Sequence, residues 1–209
     1  MLAFSSLLGN VEGQNIYRIW YDKPASYWEE ALPVGNGRIA AMVFGDPQLE
    51  QIQLNEETVS AGSPYQNYNE EAKTALPEMR RLIFEGKYEE AQNMATTKIL
   101  SQVGNEMPYQ TVGRLNIRYQ DHKKVNNYYR DLDISNAVAV TRYKVDGVEF
   151  TEETFASFTD QLVIRHIKAS KPGTINCELF FNTPMRDPKR SIYGKKGLRL
   201  EGITYGSRY

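Results

Sequence analysis

Cysteine, histidine and net charge are what this chain of 209 residues has least of, and each shortage removes a class of function. A single cysteine, Cys177, cannot close an internal disulfide or build a thiolate metal cluster. It shares a strand face with Leu179 and Phe181 in Ile175-Asn-Cys-Glu-Leu-Phe-Phe181, which suits a buried structural thiol. Two histidines, His122 in the polar run Gln120-Asp-His-Lys-Lys124 and His166 mid-strand, have no ligand spacing between them, so neither a metal nor another cofactor is expected. With 25 basic against 26 acidic residues the chain has no net attraction for a phosphate backbone or an anionic surface, so neither nucleic acid nor membrane is an expected partner.

Long apolar runs are also missing. The stretch Leu2 to Leu8 is too short to cross a bilayer, and no basic leader precedes it. Residues 1–13 are read as the remnant of an export signal, which makes a periplasmic or secreted protein the expectation. No G-x-S-x-G elbow and no Walker loop occur, which leaves serine-hydrolase and P-loop chemistry without a starting residue.

What the sequence does have is strands. Ile16 to Trp20 alternates, Ile39 to Phe44 is a near-continuous apolar run, and Leu49, Ile52 and Leu54 return after the turn residues Gly45-Asp-Pro-Gln48. Asp146-Gly147 between alternating runs predicts a tight hairpin with both turn residues at positive φ. Phe150 and Phe155 differ in parity, so keeping both rings inside calls for a bulge near Glu152-Glu153. From about 69 to 100 the period changes to helical, with Asn69 as a cap, Met79, Leu82 and Ile83 on one face, and Gly86 as a break. The expected fold class is mainly β: a large antiparallel β-sandwich, supersandwich-like, over residues 14–209 with a short helical insertion. The alternating run from Lys195 starts a further strand just before Tyr209, which predicts a truncated sheet.

Gly35-Asn-Gly-Arg-Ile-Ala40 fits a dinucleotide fingerprint in letters only. That motif must open a helix whose amides face a pyrophosphate, whereas Ile39 to Phe44 is strand-like and short. The acidic neighbours Glu29-Glu30, Glu56-Glu57, Glu70-Glu71, Glu89-Glu90 and Glu152-Glu153 do not make acid and base pairs, because adjacent strand residues point to opposite faces. Glycoside hydrolysis requires two carboxyls about 5–10 Å apart, supplied by separate elements. Most of these acids read as solvated surface charge. Trp20, Tyr21, Tyr27 and Trp28 suit packing in a core or at an interface, with stacking on sugars as the other use of flat rings. The polar residues bracketing the hairpin, Asn36, Arg38, Asn55, Glu56 and Thr58, together with Trp28, are the candidates for contact with a substrate or a neighbouring domain.

Ile19-Trp-Tyr-Asp-Lys-Pro-Ala25, Trp28-Glu-Glu-Ala-Leu-Pro-Val-Gly-Asn-Gly-Arg38, Ala41-Met-Val-Phe-Gly45 and Ile52-Gln-Leu-Asn-Glu-Glu-Thr58 closely resemble the opening of glycoside hydrolase family 95 enzymes, which are α-L-fucosidases with some α-L-galactosidases. The likeness continues through Tyr129-Arg-Asp-Leu-Asp133, Gly147, Phe155-Ala-Ser-Phe158 and Gln161-Leu-Val-Ile-Arg165. One departure is Val59-Ser-Ala-Gly-Ser-Pro64, where Ser60 stands in place of a tryptophan common in the family. The resemblance implies an N-terminal β-sandwich followed by an (α/α)6 barrel. It also implies inversion, with a glutamic acid and an asparagine–aspartate group that belong to the barrel. By that analogy the chain holds no catalytic residue, its partners are the barrel and a fucosylated oligosaccharide, and its function is to support the catalytic domain. The alternative is a stand-alone carbohydrate-binding β-sandwich module.

Overall fold

A computed structural model describes residues 17–60, 68–101 and 109–204. The residues 1–13 read as an export remnant, Ile16 of the expected first strand and the stretch Ala61 to Pro64 lie outside them. The chain divides into two compact units. One holds the residues up to Glu57, Thr111–Pro184 and Pro188–Glu201; the other holds Thr58–Gln110, Met185–Asp187 and Gly202–Tyr209.

The first unit is a pair of five-stranded antiparallel sheets. In chain order the strands are β1 (Arg18–Tyr21), β2 (Leu32–Gly35), β3 (Ile39–Val43), β4 (Leu49–Glu56), β5 (Gly113–Tyr119), β6 (Val125–Asp133), β7 (Val138–Val145), β8 (Val148–Ser157), β9 (Leu162–Ala169) and β10 (Cys177–Asn182). One sheet runs β1-β6-β7-β8-β9 and the other β10-β5-β4-β3-β2. They face each other where β2 and β3 lie against β7, β8 and β9. A final ribbon joins β11 (Arg186–Tyr193) to β12 (Gly197–Ile203).

Alternation places the core. Leu32, Val34, Ala41, Val43, Ile52, Ile117 and Tyr119 point inward from the second sheet and meet Leu132 and Ala139 from the first, each burial of a full aliphatic side chain contributing about 1.5–3 kcal/mol. A second cluster, Tyr143, Val145 and Phe150, closes one end. Cys177 is half-buried against the main cluster, and burial pushes its thiol pKa up. The Asp146-Gly147 hairpin is present, with φ of 48° and 81° at the two turn residues.

One local expectation on these sheets fails. Strand β8 pairs with β7 and β9 in unbroken register, so no bulge occurs at Glu152-Glu153. Phe150, Glu152 and Thr154 all face inward and are buried, while Phe155 takes the outer face. The cost of a buried carboxylate is met by an arginine on β9, which removes the need to break the pairing. The register shift in this sheet lies instead on β6, between Asn126 and Tyr129, with Asn127 at φ 52°. On β4 the inward set is Glu50, Ile52 and Leu54, and Leu49 has the opposite parity.

The second unit carries helices α1 (Ala72–Phe84) and α2 (Tyr88–Met94), the latter running into a π-helical turn at Ala95–Ile99. Asn69 precedes α1 rather than capping it directly. Its Oδ1 accepts the Glu71 N–H at 3.0 Å, and its amide donates to the carbonyls of Thr97 and Leu100, tying the start of the helical segment to its end.

Candidate functional site

Within the first unit the polar loop residues gather at the mouth of an open cleft of about 340 Å³. Asn36 sets the loop. Its Oδ1 accepts the N–H groups of Arg38 (3.1 Å) and Ile39 (2.9 Å), while Nδ2 donates to the Ser157 carbonyl (2.8 Å) and to Gln161 Oε1 (3.3 Å). All of that amide's usual capacity is spent on protein partners and the residue is buried, so Asn36 shapes the loop and joins β2-β3 to the β8-β9 turn.

Arg38 reaches across one strand. Its Nε donates to Glu56 Oε1 at 3.0 Å, because the β3–β4 register sets Ile39 opposite Glu56. The arginine is largely exposed, so the pair orders the rim and adds little stability. Asn55 and Glu56 line the cleft with Gln161 and the apolar side chains of Ile52, Leu54, Leu115, Val163 and Phe181. Asn55 Oδ1 is buried and has no hydrogen-bond partner among the described residues. Trp28 sits away from the cleft lining in a short 3-10 turn, Trp28–Glu30, and is 47% exposed. Thr58 falls in the other unit, where its carbonyl accepts the Ser60 N–H. The structure therefore gathers Asn36, Arg38, Asn55 and Glu56, and does not bring Trp28 to them.

Beneath the cleft lies a charged cluster absent from the sequence-based candidates. Glu50 is fully buried; its Oε1 accepts the main-chain N–H groups of Phe44 (3.1 Å) and Gly45 (2.9 Å), and its Oε2 accepts from Arg165 Nη2 at 2.7 Å. The same Nη2 contacts Glu152 Oε2, and Tyr143 donates its hydroxyl to Glu152 Oε1 at 2.5 Å. Arg165 Nη1 completes the set on the Thr154 hydroxyl. Two carboxylates thus share one guanidinium, and neither faces solvent. A glycosidic acid or base must present an oxygen to substrate, which these cannot do. Parity was the available signal: Glu50 alternates with Ile52, Glu152 with Phe150, and Arg165 with Val163 and Ile167.

His122 is another buried titratable group. The ring stacks on Tyr119 at 4.4 Å between centroids, meets Phe150 edge-on, and donates from Nδ1 to the Pro47 carbonyl at 2.9 Å. Burial lowers its pKa below the ordinary 6.5, outweighing the bond to Pro47, and burial raises those of Tyr119 and Tyr143. The unfolded chain therefore binds a proton near pH 6.5 that the folded one refuses. Stability is complete above that pH and falls as pH drops through it. Urea midpoints measured from about pH 7 to about pH 5 should decline, and His122→Phe should flatten the decline; equal slopes in both proteins would refute the assignment. Among the described residues no group of three or more His, Cys, Asp or Glu side chains is placed to hold a metal ion, and no helix is long and apolar enough to cross a membrane.

The sequence model of the glycosyl hydrolase family 65 N-terminal domain matches residues 19–208. The chain belongs to that family. Relatives of this glycosyl hydrolase N-terminal domain include α-L-fucosidase 2 of Arabidopsis thaliana, 37% identical over 181 residues, which cover 84% of this chain and 21% of the plant protein. Probable α-fucosidase A of Aspergillus niger is 28% identical over 204 residues, covering 90% of this chain and 24% of that protein. Its Aspergillus oryzae counterpart is 24% identical over 174 residues, covering 78% and 23%. The chain spans about a fifth to a quarter of the length of these relatives. The family number carried by the match is 65 where the motif blocks resemble family 95, and the relatives' names carry the fucosidase part of that resemblance.

Proposed function

We propose that the chain is the non-catalytic N-terminal domain of an inverting α-L-fucosidase-like glycoside hydrolase that acts on fucosylated glycans outside the cytoplasm. Its role is to brace an (α/α)6 catalytic barrel. The observation that carries the reading is the 37% identity to an α-L-fucosidase over 84% of this chain and only 21% of that enzyme. The sealed Glu50–Arg165–Glu152 cluster supports it, since the carboxylates on the inner faces here are committed to holding the sandwich. A support role also gives the Arg38–Glu56 rim a use as a docking edge.

Hydrolysis of an aryl α-L-fucoside by the 209-residue chain and by a polypeptide that continues into the barrel, followed by proton NMR of the anomeric product, tests this. The longer protein should release β-L-fucose first and the chain alone should release none. Turnover by the chain would overturn the division of labour, and α-L-fucose as first product would overturn inversion. A second reading, a carbohydrate-binding module, is favoured by the exposure of Trp20 and Trp28.

A further inference from the structure

The outer face of the β1-β6-β7-β8-β9 sheet carries a ledge of paired rings. Trp20 on β1 is 61% exposed, and its ring lies 6.2 Å from that of Tyr129 on β6 with 21° between their planes. Nothing in the core requires this, since Tyr21 on the opposite parity already supplies the inward aromatic of β1. The irregularity at Asn126–Tyr129 is what turns Tyr129 outward while Tyr128 packs inward against Tyr143, Val145 and Phe150.

Beside the rings is a fixed set of polar groups. Asp131, directly opposite Trp20 in register, has its carboxylate buried between Arg18 Nη1 (3.2 Å) and Arg142 Nη1 (3.0 Å), and Arg18 Nη2 reaches Asp133 at 3.4 Å. The Arg142 side chain is 46% exposed, so its guanidinium edge is held in place yet open to solvent next to the aromatic faces. The ledge is thus aromatic and rimmed by oriented guanidinium N–H donors.

We propose that Trp20 and Tyr129, with Arg18 and Arg142, form a binding platform for a pyranose-containing oligosaccharide. A pyranose presents one C–H face, which loses water favourably against a ring, and a rim of hydroxyls, which replace the water on the guanidinium groups. The sugar C–H groups are polarised positive and meet the negative π faces. An apolar protein patch or an acyl chain would instead strip solvent from Arg18 and Arg142 without returning hydrogen bonds. The inference deepens the module reading and takes its ligand class from the carbohydrate-acting family of the chain.

The test is calorimetry and saturation-transfer NMR on the 209-residue chain with fucosyllactose and with cellobiose as probes. Fucosyllactose should bind with Kd of about 1 mM, and Trp20→Ala and Arg142→Ala should each weaken it about tenfold at a temperature where the variant is folded, Arg142→Ala with a lowered melting temperature because it takes one of two cations from the buried Asp131. Undiminished binding in both variants overturns the platform, as does an absence of saturation transfer and of heat at about 20 mM sugar. A change confined to self-association in Trp20→Ala would assign the rings to a protein contact and also overturns it. Should Trp20→Ala misfold, Arg142→Ala decides alone. A parent that hydrolyses fucoside while this chain binds no sugar defeats the platform only; a chain that binds while the parent is inert defeats the fucosidase reading only.

Discussion

Replacing Arg165 with methionine should cost the domain about 3–5 kcal/mol, because it leaves two buried carboxylates facing each other without a cation. Glu50 and Glu152 are fully or almost fully buried, so neither can turn to water. At about 2–4 °C per kcal/mol for a chain of this size, the melting temperature should fall by about 6–20 °C. Glu152→Gln should cost much less. It removes one of two negative charges and still offers Tyr143 a polar partner. The double variant Arg165→Met with Glu152→Gln should therefore be more stable than the sum of the two single changes predicts, by about 1–3 kcal/mol. Thermal and urea unfolding of the four proteins in the cycle measures this coupling. Additivity within error, or a melting temperature for Arg165→Met within about a degree of the wild type, would show that the guanidinium is not what keeps the carboxylates inside.

That cluster also shows where a sequence can and cannot be read. The positions of many strands along the chain followed from alternation and turn chemistry, and the Asp146-Gly147 turn followed from the need for positive φ at two successive residues. The fate of Glu152 did not follow. Seating Phe150 and Phe155 on one side by a bulge is reasonable if burying an aromatic ring outranks avoiding a buried acid. The sheet resolves the conflict the other way, keeping its ladder hydrogen bonds and placing Arg165 across from the acid. Only the distant partner makes that choice favourable, and while parity sets Arg165 on the inner face with Val163 and Ile167, it does not say which acid on the neighbouring strands it meets.

The polar loop was legible in part for the same reason. Asn36 stands out next to Gly37, where φ is +92°, as a residue that bonds its own backbone; that it also reaches Ser157 and Gln161 depends on how β8 and β9 pass the loop. Arg38 and Glu56 meet on the diagonal because the hairpin register sets Ile39 opposite Glu56, which the turn length between β3 and β4 fixes. Trp28, close to Asn36 in the chain, turns away on its own short helical turn. Proximity in sequence was a poor guide to proximity at the cleft.

Gly45 ends the Ala41-Met-Val-Phe-Gly45 block, and alanine there should be among the most damaging of small substitutions. Its φ of +76° already disfavours a side chain by about 1 kcal/mol. A methyl group would lie 2.8 Å from the Tyr128 hydroxyl, 2.9 Å from the Arg130 Cδ and 3.2 Å from the Thr141 hydroxyl. None of the three is free to yield. Tyr128 donates to the Gly45 carbonyl at 2.6 Å, and Arg130 is stacked 4.1 Å from the Tyr21 ring centroid while bonded to the carbonyls of Lys23 and Glu30. Displacing the Gly45 N–H would also release one of the donors that hold Glu50, so the damage should spread into the Arg165 cluster. A loss of about 3–4 kcal/mol is expected, several times that of an exposed glycine such as Gly147, whose Cβ would meet nothing within 4 Å. Comparing Gly45→Ala with Gly147→Ala separates the shared cost of positive φ from the cost of contact. Equal losses in the two variants would mean that close packing around Gly45 contributes nothing, and that the block is held for its turn geometry alone.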